Sequence, residues 1–186
     1  MIKNFKIRKE SVQITIMNNS KHPRGFITIA VGNEYYYDLA QNLLRSFRVY
    51  DKSGSDFSII CDRICDQVKD FDNVILLEKP NYSFLDKLEL LKYTPYEETI
   101  FIDSDSLFVS DPDKLWEDFS SSDDFSCYGK ALPLDAKNGW FYYEDTGEFK
   151  PYIDFIVKMH GGLYYFKKTE RTKEIFTRAK YIIDNY

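Results

Sequence analysis

The run Phe26-Ile27-Thr28-Ile29-Ala30-Val31 is apolar at five of its six positions, and the residues after it change period. A strand without hydrophobic alternation buries both of its faces, so it belongs inside a sheet covered on two sides. In the following "EYYYDLAQNLLRSFRVY", Tyr36, Leu39, Ala40, Leu43, Phe47 and Tyr50 recur at helical spacing. "DKSGSD" interrupts the helix and "FSII" opens a second strand. "DNVILLE" reads as a third strand, "FLDKLELLKY" as a helix, and "TIFI" as a fourth strand that stops at Asp103. This alternation predicts an α/β fold, a mainly parallel, Rossmann-like sheet with helices on both faces.

The rest of the chain is less regular. Residues 1–25 read as an N-terminal extension, with Val12 to Ile16 as an alternating strand and "NNSKHPRG" as a turn, ahead of one domain over 26–186. "DDFSCYGKAL" has strand character, while "GWFYYEDTGEFKPYIDF" is aromatic and irregular. "HGGLYYFKK" reads as a strand entered through two glycines. A final helix over 169–186 takes Thr169 as N-cap and places Ile175, Ala179, Ile182 and Tyr186 on one face.

With 186 residues and 44% hydrophobic content, the chain can build a single core. The net charge of −5 and the scattered lysines and arginines speak against a nucleic-acid surface. An acidic protein that binds an anionic small molecule needs a local device such as a cation or a bound metal. Cys61, Cys65 and Cys127 form no metal or disulfide framework. No apolar run approaches the roughly 20 residues of a membrane helix. The N-terminus lacks the apolar core of a secretory signal. The expectation is a cytoplasmic protein without a transmembrane segment, at most peripheral at a membrane.

Sheets of this kind bind ligands outside the carboxyl ends of their strands, which points to Ala30–Asn33 and Asp103–Asp105. Asp103-Ser104-Asp105 offers two carboxylates to one space, a donor set suited to Mg²⁺ or Mn²⁺ with phosphate and water completing the shell. The plainer reading is an acidic turn, since Asp is common there. A calcium loop counted from Asp103 requires Gly at its sixth position and Glu at its twelfth, where Phe108 and Lys114 stand. That reading fails. "IFIDSDSLF" also resembles the motif of haloacid-dehalogenase-type phosphatases, with Asp103 as nucleophile and Asp105 as acid. It departs from that motif at Leu107, and three expected strands precede it.

A wider resemblance is to nucleotide-sugar glycosyltransferases of the GT-A fold, family 8 and its glycogenin-like and bacterial lipopolysaccharide relatives. "FITIAVGNEYYYDLAQNLLRSF" resembles that family's first β-α unit. "FLDKLELLKYTPYEETIFIDSDSLFVSDPDKLWE" is similar to its Lys-Leu helix, Tyr, hydrophobic-DxD-hydrophobic strand and D-x-L-W segment. "HGGLYYFKK" resembles its later Asn-Ser/Ala-Gly strand. The resemblance implies a retaining, metal-dependent transfer from a nucleoside-diphosphate sugar, expected to be a UDP-sugar, to a glycan, lipid or protein acceptor. It implies that Ala30, Val31, Gly32, Asn33 and Tyr35 contact base and ribose. Asp103 and Asp105 would hold Mn²⁺ or Mg²⁺, Asp103 and Ser104 would lie at the donor, and Lys87 would face its phosphate or sugar. His160, Gly161 and Gly162 would pass under the sugar, with His160 standing where the family has Asn. The family's further metal-ligating His, in an H-x-x-G-x-x-K-P-W-like segment, has no counterpart before Tyr186. The metal site and acceptor side are therefore expected to be incomplete, and donor binding by this chain weak. A non-catalytic nucleotide-sugar-binding module is the remaining alternative, and no catalytic nucleophile is assigned.

Overall fold

The computed structural model describes residues 15–16, 22–133 and 154–185. The aromatic stretch at 139–153, the strand start at Val12–Ile14 and Tyr186 lie outside them. Seven strands form one sheet: β1 (Thr15–Ile16), β2 (Arg24–Ala30), β3 (Phe57–Cys61), β4 (Asn73–Leu76), β5 (Glu98–Ile102), β6 (Phe125–Pro133) and β7 (Phe155–Lys167). Their order is β1-β4-β3-β2-β5-β7-β6. The central four, β4-β3-β2-β5, are parallel, whereas β1, β7 and β6 pair antiparallel. The helices are α1 (Glu34–Tyr50), α2 (Leu90–Tyr93), α3 (Asp113–Asp118) and α4 (Glu170–Asn185).

The unalternating strands are explained by two cores. Phe26, Ile59 and Ile100 turn to one face, where they meet Phe47, Phe57 and Trp116. Their neighbours Ile27, Ile60 and Phe101 turn to the other, against Leu90, Phe166 and Phe176. The first core is aromatic-rich, with Phe26 and Phe47 edge to face at 5.1 Å and Phe26 and Trp116 at 5.2 Å.

Four expectations are corrected in detail. In α1 the buried residues are Tyr37, Ala40, Leu43, Leu44 and Phe47; Tyr36 and Tyr50 are exposed because the core-facing stripe is rotated by about one position. The helix expected over 84–93 is a 3₁₀ segment, Phe84–Glu89, followed by the single turn α2. Pro95 ends it by holding Thr94 in extended backbone. Strand β7 does not begin at the glycines; it runs through them from Phe155. Finally, α4 is capped by Thr169, whose Oγ1 accepts from the Thr172 N–H at 3.2 Å, but it buries Thr172 and Phe176. Ile175 and Ile182, expected inside, are 39% and 50% exposed.

Candidate functional site

The loops after β2, β4 and β5 enclose a cleft of about 450 Å³ at the carboxyl end of the parallel strands. That volume lies within the range of small-molecule sites. Its lining combines the apolar and aromatic side chains of Val31, Tyr35, Tyr36, Tyr82 and Phe84 with Lys87, Asp103, Ser104 and Asp105, and the Lys87 ammonium lies 5.5 Å from the centre of the Phe84 ring.

The aromatic part of the lining begins where β2 stops. Ala30 is buried as the last strand residue, and Gly32 turns the chain at φ +79°, a conformation that favours glycine. Asn33 caps α1 by accepting the Tyr35 N–H at 2.9 Å, which sends the Tyr35 ring outward, 62% exposed. The turn is clamped from β3. Asp62 accepts the Gly32 N–H at 3.0 Å and a short hydrogen bond from the Tyr37 hydroxyl. Arg63 donates to the Gly32 carbonyl and lies over the Tyr37 ring at 4.3 Å. Burial, and then the bond to Asp62, raises the Tyr37 pKa and keeps the phenol protonated.

The loop before Lys87 is built around a buried carboxylate. Asp86, 1% exposed, accepts from the Asn81 N–H at 2.7 Å, the Asn81 side chain at 3.2 Å and the Ser83 N–H at 3.3 Å. Ser83 returns a bond to the 3₁₀ segment, completing a capping box. The loop so formed holds Tyr82 at φ 54° and leaves Tyr82 and Phe84 exposed, at 64% and 85%.

Among the charged lining residues, Asp103 follows β5 directly. The Lys87 ammonium reaches both its carboxylate oxygens at 2.7 Å and the Gly161 carbonyl at 3.1 Å. The Asp103 N–H donates to the Gly162 carbonyl at 2.9 Å. The Asp103–Gly162 bond continues the β5–β7 ladder by one step beyond the Ile102–Leu163 pair, while β6 and β7 lose register on the other side. Cys127 pairs with Tyr164 and Gly129 with Met159, so Tyr128 alone faces residues 160–163. Such bulges free backbone groups from the ladder and re-aim them. A Cβ at Gly162 would stand 3.1 Å from Asp103 Oδ2 and 3.2 Å from His160 Cε1, so only glycine fits without displacing one of them. Tyr164, packed on the Phe101 ring at 4.7 Å, has its pKa raised by burial and secondarily by Asp103.

The cleft therefore gathers Val31, Tyr35, Lys87, Asp103, Ser104 and Asp105, with Gly32 and Asn33 shaping one rim and Gly161 and Gly162 supporting the other. Ser104 is buried and Asp105 is exposed. His160 is exposed and stands beside Gly162 without lining the cleft. Tyr36, Tyr82, Phe84, Asp62 and Asp86 were not foreseen. Tyr36 falls in the set of α1 residues at helical spacing, which gives no sign of a cleft wall, and the rest make their contacts across 25 to 30 residues or within one irregular loop. For a hard cation the available donors are the Asp103 and Asp105 carboxylates. No group of three His, Cys, Asp or Glu side chains converges among the described residues. Two carboxylates fit an octahedral cation that takes its other ligands from phosphate oxygens and water.

An α/β sheet of this order with its cleft at the parallel strand ends defines the GT-A fold of nucleotide-sugar transferases. Solved structures of that class match the chain. The galactosyltransferase LgtC, determined with donor and acceptor sugar analogues, has a TM-score of 0.60 and 14% identity, over 87% of this chain and 64% of LgtC. The bifunctional glycosyltransferase WbbM gives 0.57 and 11%, over 90% of this chain and 35% of WbbM. The 4-diphosphocytidyl-2C-methyl-D-erythritol synthase of Anaerococcus prevotii gives 0.50 and 13%, over 88% of this chain and 76% of the synthase. This chain thus spans under two thirds of the length of the two glycosyltransferases. Identities this low show the fold alone, and the third neighbour is named for a different reaction. No protein-family model matches the chain, and no curated protein matches it by sequence.

Proposed function

We propose that this chain is the donor-binding domain of a family 8-like glycosyltransferase that uses a nucleoside-diphosphate sugar, with UDP as the nucleotide. The observation that carries the reading is the make-up of the cleft, whose lining divides into aromatic rings and the charged groups Lys87, Asp103 and Asp105. A nucleoside diphosphate has the same division, a planar base joined through ribose to a polyanion. Tyr35 and the Ala30–Asn33 turn meet base and ribose, and Asp103 and Ser104 lie toward the diphosphate. Asp103 and Asp105 would hold Mg²⁺ or Mn²⁺, which supplies charge neutralisation of the departing diphosphate.

The chain's own residues organise the rest. Lys87 places a positive charge beside Asp103 for the phosphates, and β7 holds Asp103 by its backbone. Gly162 keeps the space beside that carboxylate clear for the sugar. Retention at the anomeric carbon and a glycan, lipid or protein acceptor complete the proposal by resemblance.

Isothermal titration with UDP and Mn²⁺ tests it. Weak binding that requires the metal and disappears in Asp105→Ala is the expected result. Binding that ignores both metal and Asp105→Ala would identify a non-catalytic nucleotide-binding module instead. The phosphatase alternative predicts hydrolysis of a generic phosphate ester, abolished by Asp103→Asn; the transferase reading predicts no such hydrolysis.

A further inference from the structure

Tyr82 is a non-glycine residue in the left-handed region, at φ 54°. Side chains there clash with their own backbone, so the conformation persists only where surrounding structure imposes it, and such residues cluster at ligand clamps. The surrounding structure is explicit. Asp86, buried under the loop, holds Asn81 on one side of Tyr82 and Ser83 on the other through backbone hydrogen bonds. What this achieves is not burial of an apolar ring, since Tyr82 stays 64% exposed.

Its ring lies instead against the turn after β2. A Cβ added at Gly32 would be 3.1 Å from Tyr82 Cδ1, so the ring fills the space that a side chain at Gly32 would take. Tyr82 also lines the cleft together with Tyr35 and Tyr36, which touch each other edge to face at 5.9 Å. Tyr82 contacts no other aromatic ring among the described residues. A fixed loop thus presents an uncovered aromatic face to the cleft beside the Gly32 turn.

We propose that Tyr82 is a binding residue for the nucleotide, stacking on the base from the side facing Tyr35 and closing it against the Gly32 turn. The inference rests on the donor-site reading above and assigns it a contact from the β4–3₁₀ loop. The ligand class is a nucleoside or nucleoside diphosphate with a planar base. Pyrophosphate, which has no base, does not use this contact.

The test is titration of the full chain with UDP, uridine and pyrophosphate in the presence of Mn²⁺, using wild type, Tyr82→Ala, Tyr82→Phe and Tyr82→Gly. Base stacking on an aromatic side chain corresponds to about five- to 150-fold in affinity. Tyr82→Ala and Tyr82→Gly should therefore weaken UDP and uridine by that factor and leave pyrophosphate unchanged, while Tyr82→Phe binds like wild type. Thermal melts of the four proteins identify any variant that fails to fold. If wild type binds UDP and all three variants match it, Tyr82 has no role and the donor-site reading stands. Equal weakening of UDP and pyrophosphate by Tyr82→Ala would also overturn the stacking contact, since it would report a general distortion. If wild type binds no nucleotide, both readings fall.

Discussion

Asp62 shows how a side chain outside the cleft can shape it. Its carboxylate satisfies the Gly32 N–H and the Tyr37 hydroxyl together, so Asp62→Ala leaves two partly buried donors without an acceptor. Each such donor costs about 1–3 kcal/mol. Asp62→Ala should lower stability by at least that amount in urea titration and weaken UDP binding through the loosened turn. Gly162→Ala should affect binding without the loss of stability. Its Cβ would press on Asp103 rather than on the core, so nucleotide affinity should fall with little change in Tm. The neighbouring thiol carries a pH prediction. Burial, and next the approach of Cys65, pushes Cys61 from 9.0 up to about 12. The folded protein then keeps a proton that the unfolded chain releases, so this contribution to stability is full below pH 9 and declines between pH 9 and 12. Iodoacetamide at pH 8 should label Cys61 only after unfolding, as read by peptide mass spectrometry.

At the scale of elements, close backbone approach and face assignment matter most. Gly25 opens β2 directly against the Tyr96 ring, where an added Cβ would lie 2.3 Å from a ring carbon. Tyr96 cannot swing aside, being fully buried and bonded to Ser58 at 2.6 Å and Asn73 at 3.3 Å. Gly25→Ala should therefore cost about 1–3 kcal/mol or more, measurable by thermal unfolding. In α4, Phe176→Ala should cost about 3 kcal/mol and Ile182→Ser less than about 0.5 kcal/mol. The opposite ranking would restore the face expected from spacing alone. That expectation failed for a physical reason. Ile175, Ala179 and Ile182 form a valid stripe, but periodicity does not say which of two stripes meets the sheet, and Phe176 takes the contact with Phe166 and Phe125. The same ambiguity moved Tyr36 from the expected core to the cleft wall. By contrast α1 was legible to its ends, since Asn33 supplies a cap and Asp51 a stop.

For the whole molecule, the parallel half of the sheet was legible because each of its strands is short, apolar and followed by turn residues. The antiparallel half was not, because its register depends on a bulge that leaves no local signature beyond two glycines. The candidate site divides along the same line. Asp103, Asp105, Lys87 and the Gly32 turn could be named from motifs at strand ends. The clamp from β3 exists only once distant strands are adjacent, and the loop centred on Asp86 is irregular, without the periodicity that a sequence pattern reveals. The order β4-β3-β2-β5 brings the strands together, placing the ends of β3 and β5 on either side of β2.

The mixed lining of the cleft also makes ionic strength a diagnostic. Charges exposed at Asp105 and at the mouth around Lys87 are screened over about 10 Å in 0.1 M salt, whereas contact between rings and a base carries no net charge. Added potassium chloride should therefore erode the affinity for pyrophosphate strongly, that for UDP less, and that for uridine hardly at all. A series of titrations at rising salt would separate the charged and aromatic contributions within a single unmutated protein.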